Sequence, residues 1–126
     1  MSGEGQTVLV VDDDDSMRLL CRINLELEGY RILEADRLST ARELISTEEI
    51  DLVLLDVHLR GQEGYELIEL ARKRGTGMRV AIMSGTSNLR AERPAAADGL
   101  LAKPFKLDDL LETVRRLTGR PSRVAG

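Results

Sequence analysis

The chain has 126 residues, with 18 Lys+Arg against 22 Asp+Glu and a formal net charge of −4. That length makes one domain able to bury a core without staples, and the mild acidity argues against non-specific binding to nucleic acid or an anionic membrane. A single cysteine, Cys21, excludes an internal disulfide and a CxxC metal site and fits a reducing cytoplasm; no apolar run reaches membrane-spanning length.

Only Tyr30, Tyr65 and Phe105 are aromatic, so the core must be aliphatic. Residues 1–6 are polar and read as a disordered N-terminus, ahead of a folded unit over 7–118. Thr7–Val11 is a β-branched run and reads as a buried strand. Asp12-Asp13-Asp14-Asp15-Ser16 follows, and Asp14 or Asp15 can cap the helix carried by Met17, Leu20, Cys21 and Leu25. Gly29 stops that helix, and Cys21 on its apolar face reads as a small core filler. Leu19, Ile23 and Leu27 form a second stripe, expected to pack against the last helix rather than dock a partner. Arg31–Glu34 predicts a short, partly exposed strand, and Ser39 or Thr40 opens a second helix.

Leu52–Leu55 is four large aliphatics in a row, the pattern of a strand covered on both faces. It ends at Asp56, followed by the glycine-punctuated loop 57–64. Leu67, Ile68 and Ala71 mark the face of a third helix, broken at Gly75-Thr76-Gly77. Arg79–Met83 predicts a fourth strand that ends at Ser84-Gly85-Thr86-Ser87, and Asn88–Asp98 a short helix with Pro94 in or near it. Gly99–Ala102 predicts a fifth strand leading to Lys103-Pro104-Phe105. Leu107, Leu110, Leu111, Val114 and Leu117 make an amphipathic helix stopped by Gly119. Residues 119–126 read as a flexible tail, and the clusters Arg72-Lys73-Arg74 and Arg115-Arg116 as solvated helix ends.

Five strands alternating with five helices give a (βα)5 doubly wound α/β fold with a parallel sheet of order 2-1-3-4-5. Under that order the carboxyl ends of strands 1, 3, 4 and 5 bring together Asp12 and Asp13, Asp56, Ser84 and Lys103. Three carboxylates at one sheet edge repel unless a cation sits among them, and oxygen ligands with room for water favour Mg²⁺ or Mn²⁺ over zinc. Lys103 adds a charge that can reach a phosphate, and Ser84 a hydroxyl donor. A carboxylate nucleophile in such a cluster suits phosphoryl transfer, which depends on positioning and charge neutralisation and needs no histidine base.

Val10-Val11-Asp12-Asp13-Asp14, Leu54-Leu55-Asp56 with Gly64 beyond, Met83-Ser84-Gly85, and Asp98 to Phe105 around Lys103-Pro104 resemble the receiver domain of two-component response regulators. The resemblance runs from about Val8 to about Leu117 and implies the flavodoxin-like form of the fold. It implies that Asp56 is phosphorylated by a sensor histidine kinase or a histidine phosphotransfer protein. It also implies that Asp13, Asp56 and the main-chain carbonyl of His58 bind Mg²⁺ directly, with Asp12 helping through water. Ser84 and Lys103 would grip the phosphoryl oxygens, and Lys103-Pro104 would be cis. Such a domain is not an enzyme beyond its own phosphoryl transfer and dephosphorylation. It acts in the cytoplasm through protein contacts, as a monomer or weak dimer, on a downstream protein rather than on DNA or a membrane. After Lys103 there is room for one helix and a tail, so a chain complete as given would be the single-domain type, whereas in a fragment the tail could be a linker.

Three departures stand out. Arg60 replaces the proline of many receivers, which predicts a less rigid loop after Asp56. Leu100 stands where the switch aromatic usually lies, and the span from Ser84 to Lys103 is short. The moving part on phosphorylation is therefore expected in Gly85–Asp98 rather than at Leu100. His58 and Thr86 occupy the variable positions that tune acyl-phosphate hydrolysis, with His58 an exposed loop residue. A second reading, a small Mg-dependent phosphatase of haloacid-dehalogenase type, takes Asp12–Ser16 as a DxDxS-like pattern. It has no room for a cap domain and leaves Asp56 without a nucleophile's role. A flavodoxin-like cofactor binder would need a phosphate loop rich in Gly, Ser and Thr, and four aspartates there would repel a phosphate.

Overall fold

The computed structural model describes residues 6–85 and 97–119. Its centre is a pair of strands buried at every position, β1 (Thr7–Val11) and β3 (Leu52–Asp56). Side chains alternate across a strand. Leu9, Val11, Val53 and Leu55 therefore enter one apolar cluster, and Val8, Val10, Leu52 and Leu54 enter the other. A continuous aliphatic run is what a strand needs when both faces are covered.

The remaining sheet strands are β2 (Arg31–Ala35), β4 (Arg79–Gly85) and β5 (Gly99–Lys103). All pair in parallel in the order β2-β1-β3-β4-β5, the order that the alternation of elements predicts. One face carries α2 (Leu38–Thr47) and α3 (Glu66–Arg74), which supply Ala41, Ile45, Leu67 and Ile68 to its core. The other carries α1 (Asp15–Leu27) and α4 (Leu107–Thr118), which supply Cys21, Leu25, Leu110 and Val114. Residues 88–96 of the helix expected over Asn88–Asp98, and Thr86, lie outside the described residues, as do most of the tail and of the N-terminal segment, while Ala97 and Asp98 are described and are not helical.

Asp14 caps α1, its carboxylate accepting from the N–H groups of Ser16 and Met17. Gly75 and Gly119 end α3 and α4 in the left-handed conformation, φ 65° and 77°, where glycine carries no Cβ penalty.

Three expectations are corrected. The second helix starts at Leu38, ahead of Ser39 and Thr40, after an Arg37 that makes no side-chain cap. Leu38, Ala41 and Ile45 must face the core together, and that spacing overrides the better capping residues. The Leu19, Ile23, Leu27 stripe does not pack on the last helix: these residues are 47%, 48% and 76% exposed. They are two residues out of step with buried Cys21 and Leu25, a turn of about 200° around the helix. The basic clusters are not merely solvated. Arg74 Nη1 donates to the carbonyls of Ile45 (2.7 Å) and Glu48 (2.8 Å), satisfying the end of α2. Arg72 donates to the Met78 carbonyl and to Asp98, while buried Arg115 pairs with Glu28 at 2.7 Å.

Candidate functional site

Strands β1, β3, β4 and β5 end at one edge of the sheet. Asp12 follows β1 directly, and its backbone N–H still donates to the Ala35 carbonyl at 3.0 Å, so the residue is fixed by the sheet. Its side chain is almost fully buried, and one oxygen accepts from the Asp14 N–H at 2.9 Å. Asp56 is the last residue of β3, nearly buried, with one oxygen accepting from the His58 N–H at 3.0 Å. Exposed Asp13 completes the group: one carboxylate oxygen from each of Asp12, Asp13 and Asp56 lies within 4.8 Å of the others.

Lys103, the last residue of β5, reaches across this edge. Its Nζ lies 2.7 Å from Asp12 Oδ2 and 3.3 Å from Asp56 Oδ2. Ser84 is buried near the end of β4, one residue beyond Met83, the register partner of Asp56. The structure thus brings Asp12, Asp13, Asp56 and Lys103 together and sets Ser84 on the same edge. His58 is exposed, as expected of a loop residue. The Lys103-Pro104 peptide is cis. Leu100 is half-buried and packs against the cluster that contains Leu55 and Ile82.

Two opposed effects act on the pair of buried Asp12 and half-buried Lys103. Burial pushes the Asp12 carboxyl above its ordinary range, although Lys103 and the Asp14 N–H pull it down. Burial also works against the charged form of Lys103, but its hydrogen bond to Asp12 and the charges of Asp12 and Asp56 more than offset this and raise its pKa. One lysine among three carboxylates leaves an acidic pocket.

A pH dependence follows. A carboxyl whose folded pKa is raised binds more protons folded than unfolded, so it costs stability as pH rises from the unfolded value through the folded one. Without divalent metal, Asp12→Asn is therefore expected to gain melting temperature over wild type as pH rises from about 4 to neutral. Paired thermal melts across that range check it, and a difference that does not grow with pH refutes the assignment. Cys21 is fully buried, and burial pushes its thiol up to about 12. It is expected to resist thiol reagents in the folded protein at neutral pH and to label only on unfolding.

The loop after Asp56 folds into a two-residue hairpin, His58–Leu59 pairing with Gln62–Glu63. Its first segment and the return to Gly64 are closed by the Gly64 N–H donating to the Val57 carbonyl at 2.8 Å. Gly64 sits close under this loop: a Cβ there would lie 3.3 Å from a Leu38 methyl and 3.4 Å from a Leu55 methyl, so a larger residue needs those side chains to give slightly. The expectation of a less rigid loop meets specific restraints. The Arg60 N–H donates to Asp13 Oδ2 at 3.0 Å, and its guanidinium donates to the Asp36 carbonyl and carboxylate at 3.1 and 2.9 Å. Asp36 also pairs with Arg37, and the hydrogen bonds from Arg37 and Arg60 hold its carboxyl well below the usual range. Sequence reasoning did not link Arg60 or Asp36 to the site. The only local signal is Arg60-Gly61 at the centre of a short turn, and arginine is not a residue that such turns favour.

The chain belongs to the response regulator receiver domain family, whose model matches residues 8–115. It is 30% identical over 114 residues to sporulation initiation phosphotransferase F of Bacillus subtilis, covering 88% of this chain and 92% of that one. It is 33% identical to response regulator MprA of Mycolicibacterium vanbaalenii, where 90% of this chain spans only 50% of the relative. Among solved structures it is similar to response regulator TrrA of Thermotoga maritima in complex with Mg²⁺-BeF, with TM-score 0.79, 32% identity, and 89% of this chain and 98% of that one covered. A CheY-like receiver domain from Methanospirillum hungatei gives TM-score 0.80 at 32% identity, covering 90% and 94%. The chain is thus a two-component receiver domain with an acidic pocket, and the phosphatase reading finds no support in these relatives. Among the described residues, no helix is long and apolar enough to cross a membrane.

Proposed function

We propose that Asp56 is the phosphoacceptor of a two-component system or phosphorelay, charged by a sensor histidine kinase or a histidine phosphotransfer protein. The observation that carries this is Lys103 Nζ set between Asp12 and Asp56 beside a three-carboxylate cluster. The donor set fits a hard divalent cation, since it is all oxygen and carries more negative charge than Lys103 offsets. Asp13, Asp56 and the His58 carbonyl would hold Mg²⁺ or Mn²⁺, with Asp12 acting through water. The bound cation would neutralise charge developing on the transferred phosphoryl oxygens.

An Asp56 carboxylate oxygen attacks phosphorus, and the P–N bond of the phosphohistidine donor breaks, its electron pair leaving on the imidazole nitrogen. Lys103 neutralises charge on the phosphoryl oxygens, and the Ser84 hydroxyl donates to one of them. No activity beyond this self-modification and its hydrolysis is proposed. The folded unit is taken as 7–118, working in the cytoplasm as a monomer or weak dimer on a protein target rather than on DNA or a membrane. Incubation with acetyl phosphate and Mg²⁺ followed by mass spectrometry tests the reading. A phosphoryl group on Asp56 is the expected product, and none on a folded protein overturns it.

The donor must bring its imidazole to Asp56, so it is expected over the start of α1 and the loop after β5. Ser16, Met17 and Leu19, with Phe105 and Lys106, are the proposed contacts, and Leu19 is 47% exposed there. Replacing Leu19 and Phe105 by Ala is expected to slow transfer from a cognate kinase about tenfold or more while sparing acetyl phosphate. Equal loss with both donors would place the damage in the site and not in docking.

A further inference from the structure

We infer that Arg60 is a positioning residue for the cation site: it aims the Asp13 carboxylate through its main-chain N–H and holds that aim by clamping its guanidinium on Asp36. The inference rests on the cation reading above and deepens it. Among the described residues Arg60 is the one non-glycine with positive φ, 48°, followed by Gly61 at 79°. The pair turns the hairpin between bonded Leu59 and Gln62. Glycine, asparagine and aspartate adopt that conformation readily; an arginine persists there only where its surroundings hold it.

The holding contacts are specific. The Arg60 N–H lies 3.0 Å from Asp13 Oδ2, Nε 3.1 Å from the Asp36 carbonyl and Nη2 2.9 Å from Asp36 Oδ2. Arg37 Nε holds the other Asp36 oxygen at 2.9 Å. Asp36 directly follows β2, whose last carbonyl, Ala35, receives the Asp12 N–H. A closed ring results, running from Asp56 through the hairpin to Arg60, on to Asp36 and the end of β2, and back to Asp12 and Asp13. Exposed Asp13 has little burial to fix it, so the ring sets its place relative to Asp56.

Such a restraint suits this cation. Mg²⁺ demands near-octahedral geometry, and the groups that orient its carboxylates matter about 10- to 100-fold in metal affinity. Simple charge predicts the opposite sign for Arg60, since removing a positive group beside a cation site should tighten binding. The test is titration calorimetry with Mg²⁺ at fixed ionic strength on wild type, Arg60→Asn, Asp36→Ala and the double variant. Asparagine keeps the N–H and tolerates positive φ, so it removes only the clamp. The expected result is binding weakened about tenfold by either single change, with the double variant no weaker than the worse single. Binding by Arg60→Asn equal to or tighter than wild type overturns the inference. Should Arg60→Asn not fold, Arg60→Gly relieves the turn and gives the same comparison. Wild-type protein that binds no Mg²⁺ would overturn the cation reading itself and this inference with it, a failure seen without any variant.

Discussion

Asp56→Asn is expected to abolish phosphoryl acceptance from acetyl phosphate in the presence of Mg²⁺, with the fold preserved. The change is nearly isosteric, so the β3 pairing to Val11 and Met83 at that edge is undisturbed. An amide oxygen keeps an acceptor for the His58 N–H, which now bonds Asp56 Oδ1 at 3.0 Å. What is lost, on the proposed reading, is the anionic nucleophile, along with one negative charge of the three-carboxylate cluster. Phosphorus attack by a neutral amide is far slower than by a carboxylate, so the expected loss is at least about a thousandfold, roughly 4 kcal/mol in barrier height. Intact-protein mass spectrometry after incubation, with and without a chelator, reads the outcome. Wild type should be labelled only with divalent metal, and the variant not at all. Persistent labelling of Asp56→Asn would transfer the acceptor role to another carboxylate, Asp12 or Asp13 first, and labelling indifferent to chelator would count against the metal-dependent reading.

Leu55→Ala is expected to cost about 2–5 kcal/mol of folding stability, the range for truncating a fully buried leucine. Leu55 is 0% exposed, pairs in register with Val11 and Ile82, and belongs to the cluster under α2 and α3. Its Cδ1 also lies against Gly64, so the cavity opens beneath the loop that leads away from Asp56. For a domain of this size the loss corresponds to roughly 8–20 °C in melting temperature. Chemical denaturation should show it as a lower midpoint with an unchanged slope. Leu27→Ala is the control: at 76% exposure it is expected to move stability by no more than about 0.5 kcal/mol. Similar losses for both would mean that the two stripes of α1 and the sheet core had been misassigned.

The two results bear on one point, since the site is only as well placed as the strands beneath it. Asp56 needs no loop to position it; it is the last residue of a strand anchored on both sides. Lys103 arrives from β5 on the same terms, and the 2.7 Å contact with Asp12 joins residues 91 positions apart in the chain. Sheet order alone makes that meeting possible.

The sequence by itself determined the strands and their order and pointed to the candidate site, because each carries a physical signature. Aliphatic runs as short and unbroken as Leu52–Leu55 read as strands covered on both faces, and alternation with amphipathic helices leaves few ways to wind them. The carboxyl ends of such strands are where polar side chains converge, so Asp12, Asp13, Asp56, Ser84 and Lys103 could be picked out before any coordinates. Tertiary structure alone decided which charged groups are spent on structure. Nothing local says that Arg74 closes the end of α2, that Arg115 is buried on Glu28, or that Arg60 reaches Asp36. An arginine stem is long, and its partner is whichever carbonyl or carboxylate packing leaves within reach. The exposed stripe of α1 was undecided for a related reason. Periodicity identifies an apolar line on a helix, but only the docking of that helix on its sheet decides which line is buried.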